Sequence, residues 1–255
     1  MSAGFARVVV DASPDIARLG PLAITWRGAG AVAGTLAAVW LAKRALLRRG
    51  APAEGIWSAA VWAVVAGWGA ATATGIATHG ATLAGWRGVV AGSGSDLGLP
   101  VGLAAGAAAV ALVGRRARLT SWATLDAAAP AVVAGLGLAA LATLVAGGAD
   151  ALRTTLPWGV QYVASDALAR PGVAVQPLGA YVAALALGVL ALMTPLRRPR
   201  PGMLPAGVPG LSHACLFATG MLAVGLATAG TSVLGLQPQQ WAWLAIAVAA
   251  AAALT

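Results

Sequence analysis

The side chains equipped for chemistry are few and widely spaced. His79 and His213 could act as bases and Cys215 as a thiol nucleophile, while Arg27, Arg153 and Arg170 could clamp a phosphate through charge-assisted hydrogen bonds. The two histidines lie far apart and no pair has metal-ligand spacing, so neither a metal site nor a cofactor is expected. Cys215 has no partner for an internal disulfide and sits in an apolar run, which reads as a small buried hydrophobe. No GxSxG elbow, P-loop or HExxH string occurs. Ordinary catalytic constellations are therefore absent, and the elements that would position these residues carry more information than the residues themselves.

Those elements are long apolar stretches. The chain has 255 residues, 60% hydrophobic and 9% charged, where a soluble domain carries roughly a quarter charged residues. A crossing of the hydrocarbon core takes about 20 mostly apolar residues. Seven stretches qualify: 22–42, 56–78, 97–114, 127–147, 176–195, 209–230 and 238–255. The third is short but ends on arginines that can snorkel to the interface. Alanine and glycine dominate, which favours close helix packing in lipid. The expected fold is all-α and polytopic, with an external N-terminal segment, 1–21, and a single seven-helix transmembrane domain, 22–255. The Pro/Gly-rich connector 195–209 is expected to be extended. Asp11 and Asp15 ahead of the first apolar run do not match a cleaved leader.

Ten of the 16 basic residues fall in three clusters, each directly behind an apolar stretch: Lys43, Arg44, Arg48 and Arg49; Arg115, Arg116 and Arg118; Arg197, Arg198 and Arg200. Loops rich in Lys and Arg stay on the cytoplasmic side. That rule sets the N-terminus outside, the C-terminus inside, and the loops 79–96, 148–175 and 231–237 outside. The net charge of +9 then reads as attraction to anionic headgroups rather than to nucleic acid. Trp57, Trp62 and Trp68 run along the second span. Trp122, Trp158 and Trp241 lie near span ends, where aromatic anchors collect. Ionisable residues inside a span are the usual functional pointers, and these spans hold almost none.

Several strings resemble one family: Ile24-Thr25-Trp26-Arg27-Gly28, Leu125-Asp126 with Pro130, Leu156-Pro157-Trp158-Gly159-Val160, and Gln176-Pro177 with Tyr181. In order and spacing they look like prolipoprotein diacylglyceryl transferase, from about Leu19 to Gln240. The resemblance implies seven spans in a bacterial inner membrane, and a reaction moving the diacylglyceryl group of phosphatidylglycerol to a lipobox cysteine. It also implies where the chemistry should sit, and there this sequence departs. Arg27 stands where the family has tyrosine, and Pro100 where it has histidine. That register is counted back from Asp126, and it aligns the family's loop arginines with Arg115 and Arg116. The signature stretch falls on Ala139 through Leu156, its arginine on Ala140, its asparagines on Thr143 and Ala146, and its glutamate on Gly148. The His-Pro and Leu-Tyr-Glu pattern meets Gln176, Pro177, Ala180, Tyr181 and Val182. The sixth-span pattern meets Thr219, Gly220, Ala223 and Ala227, and a glutamine is kept as Gln240.

An arginine that clamps phosphate is not replaced by alanine without leaving the anion unmatched. The resemblance thus implies a relative without its catalytic groups, holding phosphatidylglycerol-like phospholipid or serving as a subunit beside membrane-protein partners. The candidate lipid-binding residues are Arg27, Arg153, Trp158, Arg170, Tyr181 and Gln240, with no catalytic residue assigned. An active transferase with a rebuilt site, drawing on the external His79 as well, is the alternative. A transporter would require a polar path or an inverted repeat, and neither is evident.

Overall fold

The computed structural model describes residues 8–19, 22–50, 55–79, 97–116, 121–147, 151–194, 205–228, 230 and 232–255. The loop 80–96, Gly148, residues 195–204 of the connector 195–209, Arg118, Arg197, Arg198, Arg200, and the side chains of His79 and Arg116 lie outside them, and the end of that connector, Val208 and Pro209, is helical rather than extended. Among the described residues are seven α-helices: α1 (Trp26–Arg48), α2 (Ile56–His79), α3 (Gly98–Arg116), α4 (Ser121–Ala146), α5 (Leu178–Met193), α6 (Val208–Val224) and α7 (Pro238–Ala252). Each coincides with one expected stretch. Four are long and apolar enough to cross a bilayer, over Trp26–Arg48, Ile56–Thr78, Trp122–Ala146 and Val208–Ala227, and α3 and α5 are shorter apolar helices.

The all-α expectation needs correction. Five short strands are present: β1 (Val8–Val10), β2 (Asp15–Leu19), β3 (Leu22–Thr25), β4 (Val160–Tyr162) and β5 (Ala174–Val175). β1 runs parallel to β4, with Val8 opposite Val160; β4 pairs antiparallel with β5, and β2 with β3. The first span accordingly begins at Trp26 rather than at residue 22. Thr25 ends the strand and caps α1, its hydroxyl accepting from the Gly28 N–H at 3.0 Å. Strands of two to five residues carry too little periodicity to stand out in sequence, yet they pair backbone groups that no helix serves.

The strands form a cap at one end of the bundle. Val160, Tyr162, Ala169 and Val175 are its buried core, joined by Val10 and by Leu144 near the end of α4. Ser13 donates to Asp166 at 2.7 Å and ties the N-terminal segment to this cap. The Tyr162 hydroxyl donates to the Leu144 carbonyl at 2.6 Å, satisfying one acceptor left over where α4 stops. Burial pushes the Tyr162 pKa above its ordinary value. The folded state therefore keeps this proton when the unfolded chain has lost it. Its contribution is complete below pH about 10 and declines as pH rises through the folded pKa. Tyr162→Phe is expected to lower stability by about 1 kcal/mol at neutral pH and to flatten the alkaline decline, measured as Tm against pH in mild detergent.

α4 is the hub, packing against α1, α5 and α6, while α2 packs chiefly on α3 and α6 on α7. The central core comprises Val133, Ala186, Val189, Met193, Phe217, Ala218, Met221, Trp243 and Ala247. Phe217 and Trp243 meet edge to face with centroids 6.1 Å apart. Where α1 crosses α4 the backbones touch: a Cβ at Gly34 would lie 2.4 Å from the Gly135 carbonyl oxygen, and one at Gly135 equally close to that of Gly34. Lipid supplies no hydrophobic drive between helices, so contact of this kind is what holds them together.

At the far end of α4, 26 residues long, Asp126 is buried. Its two oxygens accept from the N–H groups of Gly207 at 3.0 Å and Gly210 at 2.8 Å, so α4 caps the N-terminus of α6. The first basic cluster occupies this same end. Arg49 approaches Asp126 at 3.9 Å, Arg44 stacks on Trp40 at 5.3 Å, and Lys43 on Trp57 at 6.0 Å.

Candidate functional site

The loop between α4 and α5 folds back on itself beneath the strand cap. Backbone pairing of 152–154 with 174–176 drives this: Thr154 N–H donates to the Ala174 carbonyl at 3.0 Å and Gln176 N–H to that of Leu152 at 2.9 Å. The Leu156–Val160 string makes a turn, closed by Gly159 N–H on the Leu156 carbonyl at 3.0 Å and steadied by Leu156 N–H on the Thr154 hydroxyl at 3.2 Å. Pro177 starts α5 and sets Tyr181 one turn along it, the Tyr181 N–H donating to the Pro177 carbonyl.

These turns bring four polar side chains into one chain of hydrogen bonds. Trp158 Nε1 donates to the Tyr181 hydroxyl at 2.8 Å, and that hydroxyl donates to Gln176 Oε1. Gln176 Nε2 in turn reaches the Thr154 hydroxyl at 3.4 Å. The network borders a cleft of about 390 Å³ lined by Leu156, Gln176, Tyr181, Ala223, Val224, Leu226 and Ala227. A second cavity of about 450 Å³ is lined by Arg153, Thr154, Thr155, Val173 and Ala174, and the Gln176–Thr154 hydrogen bond links its lining to that of the first. Together they offer neutral donors and acceptors beside an apolar wall, with one guanidinium next door. Such a surface suits the polar end of an amphiphile.

Of the residues expected from sequence, Trp158 and Tyr181 are brought into contact and Arg153 lines the neighbouring cavity. Arg170 stays exposed in the loop before β5. Arg27 is half-buried in the first turn of α1. Gln240 is buried where α6 meets α7, Nε2 donating to the Leu222 carbonyl at 3.1 Å and Oε1 accepting from Gln237 N–H at 2.9 Å. Its amide is committed to holding that junction, directly behind the cleft wall. His213 is fully buried on the Pro209 carbonyl, far along the chain from the cleft-lining end of α6. Gln176 and Thr154 complete the network without being among the binding residues expected from sequence. The Gln176-Pro177 pair with Tyr181 one turn on was the only local signal for the first, and none pointed to the second.

Three positions that the family resemblance marks for polar groups are packed shut. Pro100 is fully buried, Ala146 is buried, and Ala140 lies against α5 with its carbonyl oxygen 2.3 Å from where a Cβ would sit at Gly179. An arginine at Ala140 would have to displace the neighbours that bury this position. The family model for prolipoprotein diacylglyceryl transferase matches residues 14–254. No curated protein matches the chain.

Proposed function

The chain belongs to the prolipoprotein diacylglyceryl transferase family, and from that premise we propose that it is a phospholipid-binding member that no longer carries out the transfer. With four helices long and apolar enough to span, it is a multi-pass membrane protein of diacylglyceryl transferase type. In our reading all seven helices cross a bacterial inner membrane as one domain, 22–255. The segment 1–21 and the strand cap face outward, and the C-terminus faces the cytoplasm. Pairing of β1 with β4 supports a shared side for the N-terminus and the loop after α4, and Arg44, Arg48 and Arg49 at the other end support its being cytoplasmic.

One observation carries the functional part. The cleft is lined by Gln176, Tyr181, Ala223 and Ala227, four positions at which the resemblance expects motif side chains, and none of its seven lining residues bears a charge. Activating the acceptor thiol needs a proton acceptor at the reacting centre, and this lining carries no carboxylate or imidazole. What remains is a means of holding a lipid: Gln176, Tyr181 and Trp158 for headgroup hydroxyls, Arg153 for the phosphate, and Val224 and Leu226 for the acyl chains. Collapse of the Ala140 and Pro100 positions into packing supports loss of the reaction, since a site awaiting substitution would stay open. A lipid held and not consumed suits a subunit of a larger membrane assembly.

Native mass spectrometry of the chain in mild detergent tests this. Phosphatidylglycerol is expected to be retained, and Tyr181→Phe to weaken retention about fivefold, the equivalent of one net hydrogen bond of ~1 kcal/mol. Absence of bound phospholipid, or retention indifferent to both Tyr181→Phe and Arg153→Ala, would overturn the assignment.

A further inference from the structure

Between α6 and α7 the chain makes a two-residue hairpin, Val233 N–H and Leu236 N–H each donating to the other's carbonyl at 2.8 and 3.2 Å. Leu234 and Gly235 both have positive φ, 52° and 83°. A turn of this hand prefers Asn-Gly or Gly-Gly, because glycine has no Cβ and the short polar Asn side chain bonds locally, whereas a bulky apolar side chain gains nothing in the left-handed region. Leucine is thus an unfavourable choice for the backbone. It is equally unfavourable in water: Leu234 is 88% exposed, beside Val233 at 57% and Leu226 at 72%. Both costs are offset if the tip lies in an apolar medium, where burial of a whole leucine outweighs the strain of one residue.

Three neighbours indicate which medium. Trp241 donates its indole N–H to the Val233 carbonyl at 2.9 Å, fixing the hairpin to the first turn of α7 with an aromatic of the kind that marks a membrane interface. The exposed face of α7 continues from Trp241 to Val248, so the hairpin extends a surface already apolar along its length. No charged residue occurs from 201 to the end of the chain, and a water-bathed loop between helices would normally carry some. The hairpin is tied to the segment that lines the cleft: the Thr228 hydroxyl donates to Gln237 Oε1 at 2.7 Å, Gln237 directly follows Leu236, and Ala227 before Thr228 lines the cleft.

We propose that Val233–Leu236 is a membrane wedge, seated in the acyl boundary of the leaflet that the cleft faces and anchoring the cleft at lipid depth. This rests on the bilayer-embedded body of the proposed function and not on whether the cleft holds phospholipid. The test uses the full chain carrying Cys215→Ser, reconstituted in vesicles of phosphatidylcholine and phosphatidylglycerol, with a bimane label on Leu234→Cys. A label on Val248→Cys reports embedding of the body, and one on Ser165→Cys in the strand-cap loop reports exposure to water. Ser232→Cys serves if Leu234→Cys does not fold. Lipid bearing a shallow acyl-chain nitroxide is expected to quench the hairpin label strongly. Aqueous iodide is expected to quench it at least fivefold less than the Ser165 label. Iodide quenching equal to that at Ser165 overturns the wedge, and so does shielding from iodide without quenching by lipid, which would mean a protein contact. If the Val248 label also escapes lipid quenching, the embedded body falls with it; if only the hairpin label escapes, the wedge alone is wrong.

Discussion

Leucine at Gly34 is expected to abolish recovery of the folded chain from membranes, and alanine there to reduce it sharply. The reason is geometric. Even the smallest side chain places a carbon 2.4 Å from the Gly135 carbonyl oxygen, so the backbones of α1 and α4 must part along their whole contact. In water, repacking of apolar groups offsets part of such a separation, but in lipid the contact is the driving force and nothing replaces it. Gly30 lies one turn earlier, where a Cβ would sit 2.3 Å from that of Ala142, and should respond the same way. Gly69 and Gly188 are the controls. A Cβ there meets nothing within 4 Å, so alanine at either should be neutral or stabilise by about 0.5–1 kcal/mol. Size-exclusion profiles in mild detergent read all four, and loss at Gly69 equal to that at Gly34 would contradict the packing account.

Removal of Asp126 is expected to produce the next largest effect. Its carboxylate meets two backbone donors at the start of α6, and Asp126→Ala leaves both buried without partners. The loss of the cap and the stranded donors should together cost about 2–4 kcal/mol. Asp126→Asn keeps one accepting oxygen and should fall between. Arg49 is a useful contrast, because its guanidinium is 3.9 Å away and its side chain 44% exposed. Arg49→Ala should cost less than about 1 kcal/mol, so the cap and not the ion pair dominates. Thermal unfolding of the three variants decides: equal losses for Arg49→Ala and Asp126→Ala would mean that charge pairing matters most.

Hydropathy makes the helical body legible: α1 to α7 fall on the apolar stretches of the sequence, and four of them are long and apolar enough to cross a bilayer. The strands escape notice because Ala174–Val175 or Val8–Val10 is defined by its partner, not by its own pattern. Asp126 is visible in the sequence as a lone carboxylate at a span start, but its two donors lie 81 and 84 residues away. The cleft divides in the same way. Trp158 and Tyr181 are conspicuous in their strings, whereas Thr154 joins them only through backbone pairing across the loop. Gln240 illustrates the converse: a glutamine kept at an expected position turns its amide to the end of α6 rather than to a ligand. A residue type can survive in place while the polar atoms serve the scaffold.

Lipid binding without transfer is tested by incubating the purified chain, in vesicles containing phosphatidylglycerol, with a peptide bearing a lipobox cysteine, and weighing the peptide. The expected result is an unmodified cysteine while phosphatidylglycerol remains bound to the chain. A diacylglyceryl adduct on that cysteine, lost on Tyr181→Phe or Arg153→Ala, would contradict it and identify a rebuilt active site.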